Sequence, residues 1–181
     1  MAVDINKIKN KIFADKSKSM LSDNIIDLLN FRINEEEKSS RIYLAMHLWL
    51  EDKGYFNSSK LWKKYSEEEL KHADWAREFL LSFNIKPETR PIDDVQNDFS
   101  GLDDIIHKTL EHEIVITNQC KDLSIAAFNE QDMLTFTLGQ KYVAEQVEEI
   151  AKVHDLLNLL EVYGSEKLNL ALLDHEIERF L

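Results

Sequence analysis

Four stretches of this chain carry apolar side chains at alternating intervals of three and four residues, the spacing that lines up one face of an α-helix, and each run turns polar at its middle. The first seam reads Ile26, Leu29, Ile33, Glu36, Ser40, Tyr43, His47, Leu50, and the second Trp62, Tyr65, Glu69, His72, Ala76, Phe79, Phe83. The third reads Leu102, Ile106, Thr109, Glu113, Ile116, Cys120, Leu123, Ala127, and the fourth Gly139, Tyr142, Gln146, Glu149, Val153, Leu156, Leu160. Helices with such seams must pack on one another, and an uncompensated carboxylate in the shared core costs several kcal/mol or more. Four seams interrupted at one height therefore predict an all-α bundle around a single polar layer that requires a compensating charge. A metal ion supplies one.

Composition agrees with helices. The 181 residues include only 4 Gly and 2 Pro, and the length suits one domain with a substantial core. A formal charge of -12 argues against nucleic acid, which requires clustered Lys and Arg, and favours cationic partners such as metal ions. A single cysteine, Cys120, cannot form an internal disulfide; its seam position marks it as a small core residue, and a reduced cytoplasm fits. No apolar run approaches the roughly 20 residues that span a bilayer, so a soluble protein with no membrane partner is expected.

The first helix is expected from Ser22 or Asp23 to just before Gly54, and the second from about Asn57 to Phe83. Residues 84–101 hold both prolines and a cluster of Asp, Asn and Ser, which reads as a connection. It is long enough to cross the bundle's full height, about 40 Å for such helices at about 1.5 Å per residue, so helices two and three should run parallel. The third helix is expected over about Leu102 to Phe128 and the fourth from about Asp132 to near Gly164. Leu168, Leu172, Leu173, Ile177 and Phe180 are spaced for a short fifth, amphipathic helix. Residues 1–19 stand apart as an extension with Lys7, Lys9, Lys11, Lys16 and Lys18 and no apolar core of the secretory kind. They read as a flexible leader, with Ile5, Ile8, Ile12 and Phe13 also able to form one face of a docking helix.

The polar residues at mid-seam define a chemistry. Glu69 and His72, three apart, place a carboxylate and an imidazole side by side on one helix face. Glu36 and Glu113 face them from helices one and three, and Gln146 with Glu149 from helix four. One imidazole among many carboxylates is unlike a structural zinc site and suits iron or manganese. A carboxylate that bridges two metals also relieves the repulsion among four close negative charges. Taken singly, the acidic run at Glu67, Glu68 and Glu69 is an ordinary solvated helix face and His72 an ordinary core histidine. Their coincidence with three other interrupted seams separates them from that background.

The stretches Asn34-Glu-Glu-Glu-Lys-Ser-Ser-Arg-Ile-Tyr43, Glu68-Glu-Leu-Lys-His72, Glu111-His-Glu113 and Tyr142-Val-Ala-Glu-Gln-Val-Glu-Glu149 resemble those of bacterial non-haem ferritins. The resemblance runs from Met20, where such ferritins usually begin, to Leu181, which makes 20–181 the ferritin-like domain. It implies a four-helix bundle with one long crossover and a fifth helix, carrying a di-iron ferroxidase centre in each subunit. Glu36, Glu69 and His72 would hold one iron; Glu69, Glu113 and Glu149 would hold the second, with Glu69 bridging and Gln146 close by. Glu68, Glu145, Glu148 and Glu149 match an additional inner iron site, and Tyr43 matches the tyrosine beside the centre. The implied reaction oxidises Fe(II) with dioxygen or hydrogen peroxide and deposits ferric mineral in a hollow shell of roughly 24 identical subunits.

The chain departs from that family at some points. Lys141 stands where many bacterial ferritins have a tryptophan, so no electron relay is carried over there. Phe136 and Gly139 stand where animal ferritins have an acidic channel. Bacterioferritin would require Glu-x-x-His on helix four, where this chain has Gln146-Val-Glu-Glu149, and a haem-binding methionine on helix two, where it has none; no haem is expected. Rubrerythrin-like proteins bring cysteine pairs, and the DNA-protecting mini-ferritins place their centre between subunits and lack the fifth helix. A smaller di-iron oxidase and a metal-free structural bundle are the alternative readings.

Overall fold

The computed structural model describes residues 19–181. The candidate docking face on Ile5, Ile8, Ile12 and Phe13 lies outside the described residues. Ser22 caps α1 (Asp23–Lys53): its Oγ accepts from the Ile25 amide at 3.1 Å, and Asp23 sits at the positive end of the helix dipole. Gly54 ends this helix at φ 86°, a left-handed conformation that glycine adopts without steric cost, and its N–H turns back to the Leu50 and Glu51 carbonyls. After Gly54 and Tyr55, α2 runs over Phe56–Ser82. The crossover then leads to α3 (Leu102–Asn129), followed by α4 (Met133–Tyr163), whose first amides are capped by Asp132. A short α5 (Lys167–Ile177) is continued by a 3-10 turn over Glu178–Phe180. Among the described residues there is no strand, and no helix is long and apolar enough to cross a membrane.

Cross-helix hydrogen bonds establish the topology. Between α1 and α2, His47 bonds to Ser59, Ser40 to Ser66 and Glu37 to Arg77, so residue numbers rise on one helix as they fall on the other. The same inverse order joins α1 to α3, through Tyr43 to Glu113 and Arg32 to Gln119. Both α2 and α3 are antiparallel to α1 and hence parallel to each other, as the long crossover predicts. That crossover is tied down along α1: Asn30 Oδ1 accepts from the Glu88 amide at 2.8 Å, and Arg90 pairs with Asp27 at 2.5 Å.

The apolar core falls into two parts. One gathers Met46, Leu50, Leu61, Trp62, Leu102 and Leu156 at the α5 end, and the other gathers Leu29, Ile33, Leu80, Ile116, Leu123 and Leu138 at the opposite end. The polar mid-seam residues lie between them, buried on all four helices. Gly139 lets α4 close on α3, since a Cβ there would lie 2.5 Å from Ser124 Oγ and 3.1 Å from Ser124 Cα. In the first turns of α1 the buried residue is Ile25, not Ile26, which is half-buried. At 3.6 residues per turn, Ile25, Leu29 and Ile33 form one row of four-residue steps, whereas the three-residue step back to Ile26 leaves the face.

The fifth helix adds a polar anchor to its apolar stripe of Leu170, Leu173 and Ile177. Tyr55 offers α2 no side-chain cap, and the Asp174 carboxylate does so from a distance, accepting from the Ser58 amide at 2.7 Å and from Ser58 Oγ at 2.6 Å. Asp174→Ala should therefore cost about 1–2 kcal/mol, the range for a lost N-cap. A lowered denaturant midpoint, with hydrogen exchange accelerated in α5 and the first turn of α2, checks this.

Candidate metal centre

Each helix brings one carboxylate to the central layer: Glu36 from α1, Glu69 from α2, Glu113 from α3 and Glu149 from α4, all buried, with His72 and Gln146 beside them. They reach one height because each lies near the middle of its helix. The donor atoms of Glu36, Glu69 and His72 lie within 4.8 Å of one another, as do those of His72, Glu145 and Glu149. Glu113 and Glu68 belong to neither set, and Glu148 is exposed to solvent. Thus the three residues expected at the first iron are brought together, while those expected at the second and at the inner site are more loosely arranged.

Protein donors hold one oxygen of several carboxylates and leave the other free. Glu36 Oε1 lies 2.9 Å from Arg32 Nε, whereas its Oε2 is buried with no partner. Glu113 Oε1 accepts the hydroxyl of Tyr43, and its Oε2 is likewise buried and unpartnered. Lys152 Nζ lies 2.9 Å from Glu149 Oε1, and His72 Nδ1 lies 3.4 Å from Glu69 Oε2. Gln146 Oε1 accepts from Thr117 at 2.8 Å, and the His72 carbonyl accepts from Tyr142 at 2.6 Å, bracing the α2 ligands against α4. Glu68 Oε2 is a third such oxygen, and buried carboxylate oxygens without a hydrogen bond are costly unless something satisfies them, which a cation does directly. The donor set fits a hard or borderline divalent metal such as iron.

Two of these partners escape a reading of the seams. Arg32 is 1% exposed, matching Glu36 at 1%, and its Nη1 donates to Gln119 Oε1 at 2.7 Å. Its Nε is close to Glu36 but poorly aligned, and Nη2 has no partner, so it acts more as a fixed charge than as an ideal fork. Four residues before Glu36, it lies one helical turn away, and that spacing is its sequence signal, while Ile33 takes the seam position. Lys152, three residues after Glu149, is the other. Trp75 also reaches the site, with its ring centroid 4.7 Å from His72 and 5.3 Å from Tyr142, and Lys141 Nζ sits 3.5 Å over that ring.

Burial governs the protonation of the layer. It pushes the Glu36 carboxyl up to about 8 against the pull of Arg32, and burial with the Glu113 charge pushes Glu69 up to about 8. Burial likewise raises Glu113 and Glu149, opposed by Tyr43 and Lys152 respectively. Burial, followed by Arg32, holds His112 down to about 4, leaving that ring neutral against Ser39 and edge-on to Tyr43.

A four-helix bundle that delivers a carboxylate from every helix to one buried layer is a carboxylate-type metal-binding bundle. The comparisons make the class specific: residues 26–162 match the ferritin-like domain, and the chain belongs to that family. It is 30% identical over 158 residues to a probable bacterial non-haem ferritin-like protein of Haemophilus influenzae, spanning 87% of this chain and 96% of that one. It is 28% identical to a bacterial non-haem ferritin of Escherichia coli O157:H7 over the same shares. An open-pore ferritin from the hyperthermophilic archaeon Archaeoglobus fulgidus superimposes with a TM-score of 0.83 at 28% identity, covering 87% of this chain and 98% of that one. Family membership makes iron the metal bound, within a general role in iron storage and oxidation.

Two outcomes follow from the charges in this layer. Glu36 and Glu69 bind protons more tightly folded than unfolded, so their contribution to stability is full below the unfolded value near 4.5 and is lost as pH rises through about 8. Chelator-treated protein should accordingly lose stability across that window, and Glu36→Gln should flatten the slope of denaturant-measured stability against pH. Arg32→Met should destabilise the metal-free protein by about 3–5 kcal/mol, the cost of removing one partner from a buried ion pair. Calorimetric unfolding checks it, and added divalent metal should restore part of the loss.

Proposed function

We propose that the chain is a ferroxidase of the bacterial non-haem ferritin kind, which oxidises Fe(II) with dioxygen or hydrogen peroxide at two positions inside each subunit. Ferric ion then passes to mineral within a hollow homo-oligomeric shell of roughly 24 subunits. The observation that carries this is the set of buried carboxylates with one oxygen held by the protein and one left unsatisfied at the middle of the bundle. Glu36, Glu69 and His72 would hold the first iron, and Glu69, Glu113 and Glu149 the second, with Gln146 beside it. The proposal requires no haem. Residues 20–181 would form the functional domain, and residues 1–19 would add an extension to it.

In this reading iron is the substrate, and each Fe(II) surrenders one electron to the oxidant; two of them reduce dioxygen to peroxide when two protons are supplied. The protein positions the metals and sets their surroundings. Arg32 beside Glu36 and Tyr43 on Glu113 each engage one carboxylate oxygen and leave the other free, reducing the reorganisation that binding would otherwise demand. Carboxylate oxygens favour Fe(III) over Fe(II), which helps drive oxidation, while the apolar halves on either side keep bulk water from the layer.

Aerobic addition of Fe(II), followed optically for ferric product, tests the reading. Native protein should oxidise iron far faster than buffer, and a rate equal to buffer would sink it. Glu69→Ala and His72→Ala should each abolish the rapid phase while leaving particle size by light scattering unchanged. Sizing of the native particle separates a storage shell from a smaller di-iron oxidase, which would run as a dimer.

A further inference from the structure

The inner group of carboxylates already contains a cation of its own. Lys152 Nζ donates to Glu149 Oε1 at 2.9 Å and lies 3.8 Å from Glu68 Oε2, a charge contact that leaves that oxygen without a hydrogen bond. Glu145 lies close enough to add to the field that keeps this ammonium charged. The other member of the group, Glu148, is exposed on the far side of the helix turn and joins neither set of converging donors. A lysine ammonium is a compact point charge with three rotatable donors, able to replace a divalent ion among carboxylates at lower charge. We propose that Lys152 fills the place of a third metal, so that this chain holds two exchangeable divalent ions per subunit, and that the lysine's bond to Glu149 makes it a specificity-determining residue of the centre. The proposal rests on the two-metal reading above.

Position, charge and denticity all favour the lysine. Position is the first, because Lys152 follows Glu149 by three residues on α4 and shares its face, so the ion pair is built into the helix and needs no distant element. Charge is the second. A divalent ion entering among Glu68, Glu145 and Glu149 would meet a fixed positive charge a few ångströms away, and it could bind only by expelling the ammonium into solvent. Denticity is the third: with Oε1 of Glu149 held by Lys152, only the other oxygen is available to a metal in the layer, as for Glu36 under Arg32 and Glu113 under Tyr43. Lys152 thus completes, on α4, the pattern of one held oxygen per carboxylate. It also stands between the buried layer and solvent, since its own side chain is 36% exposed.

The test is metal stoichiometry. The full chain, stripped of metal, is dialysed anaerobically against Co(II) and the bound ion counted per subunit. Native protein should hold two tightly, and Lys152→Met should hold a third at least tenfold more tightly than any third ion on the native chain. Lys152→Arg, which keeps the charge, should remain at two, and adding Glu68→Ala to Lys152→Met should remove the third. Three tight ions on the native chain, or two on Lys152→Met, overturns the proposal while leaving the two-metal reading standing. Native protein with no tight ion removes the two-metal reading itself. Because Lys152 is partly exposed, these variants should fold, and unchanged far-ultraviolet circular dichroism verifies it.

Discussion

The structure turns on how negative charge is tolerated in the middle of an apolar bundle. Glu36, Glu69, Glu113 and Glu149 stand where leucine would give a simple core, and each loses its hydration on folding. Three responses are visible together. Burial raises the affinity of the carboxyls for protons, Arg32 and Lys152 supply fixed positive charge, and the remaining unpaired oxygens are left for a metal. None suffices alone: two cations cannot neutralise four carboxylates, and full protonation would give up the negative charge that attracts iron. The site is tuned between these limits.

The architecture serves that layer. A carboxylate from each of four helices requires all four to pass the same point, and the crossover after α2 achieves this while tying itself to α1 through Asn30 and Asp27. Apolar clusters above and below act as clamps, so the polar side chains are held by packing on both sides. Far from the centre, Asp174 seats α5 on the start of α2 and secures the helix that carries Glu69 and His72. The ligand geometry therefore depends on groups well outside the layer.

Much of this was legible in the sequence, for a definable reason. A seam residue is recognised by its apolar neighbours three and four positions away, so Glu36, Glu69, His72, Glu113, Gln146 and Glu149 stand out as exceptions to a repeating rule, and all are buried. Off-seam residues carry no such signal. Arg32 and Lys152 look like the charged neighbours that any solvated helix carries at i-4 or i+3, and only the approach of α3 to Arg32, and of α2 to Lys152, distinguishes them. Trp75 and Asp174 escaped for the same reason, since their partners lie on other elements. Glu148, matched by motif position, is exposed and stands outside both sets of converging donors.

Sequence alone determined the helices, their order, the parallel run of α2 and α3, and the height of the polar layer, because periodicity and loop length are local properties of the chain. Family resemblance supplied the expected metal. Tertiary structure decided which oxygens are held and which are free: Tyr43 meets Glu113 across 70 positions, and Arg32, beside Glu36 on its own helix, is anchored by Gln119 87 positions away. It also decided where the compensating positive charge lies: a buried ion pair and an exposed one read alike in a sequence, and only packing removes the water that separates them.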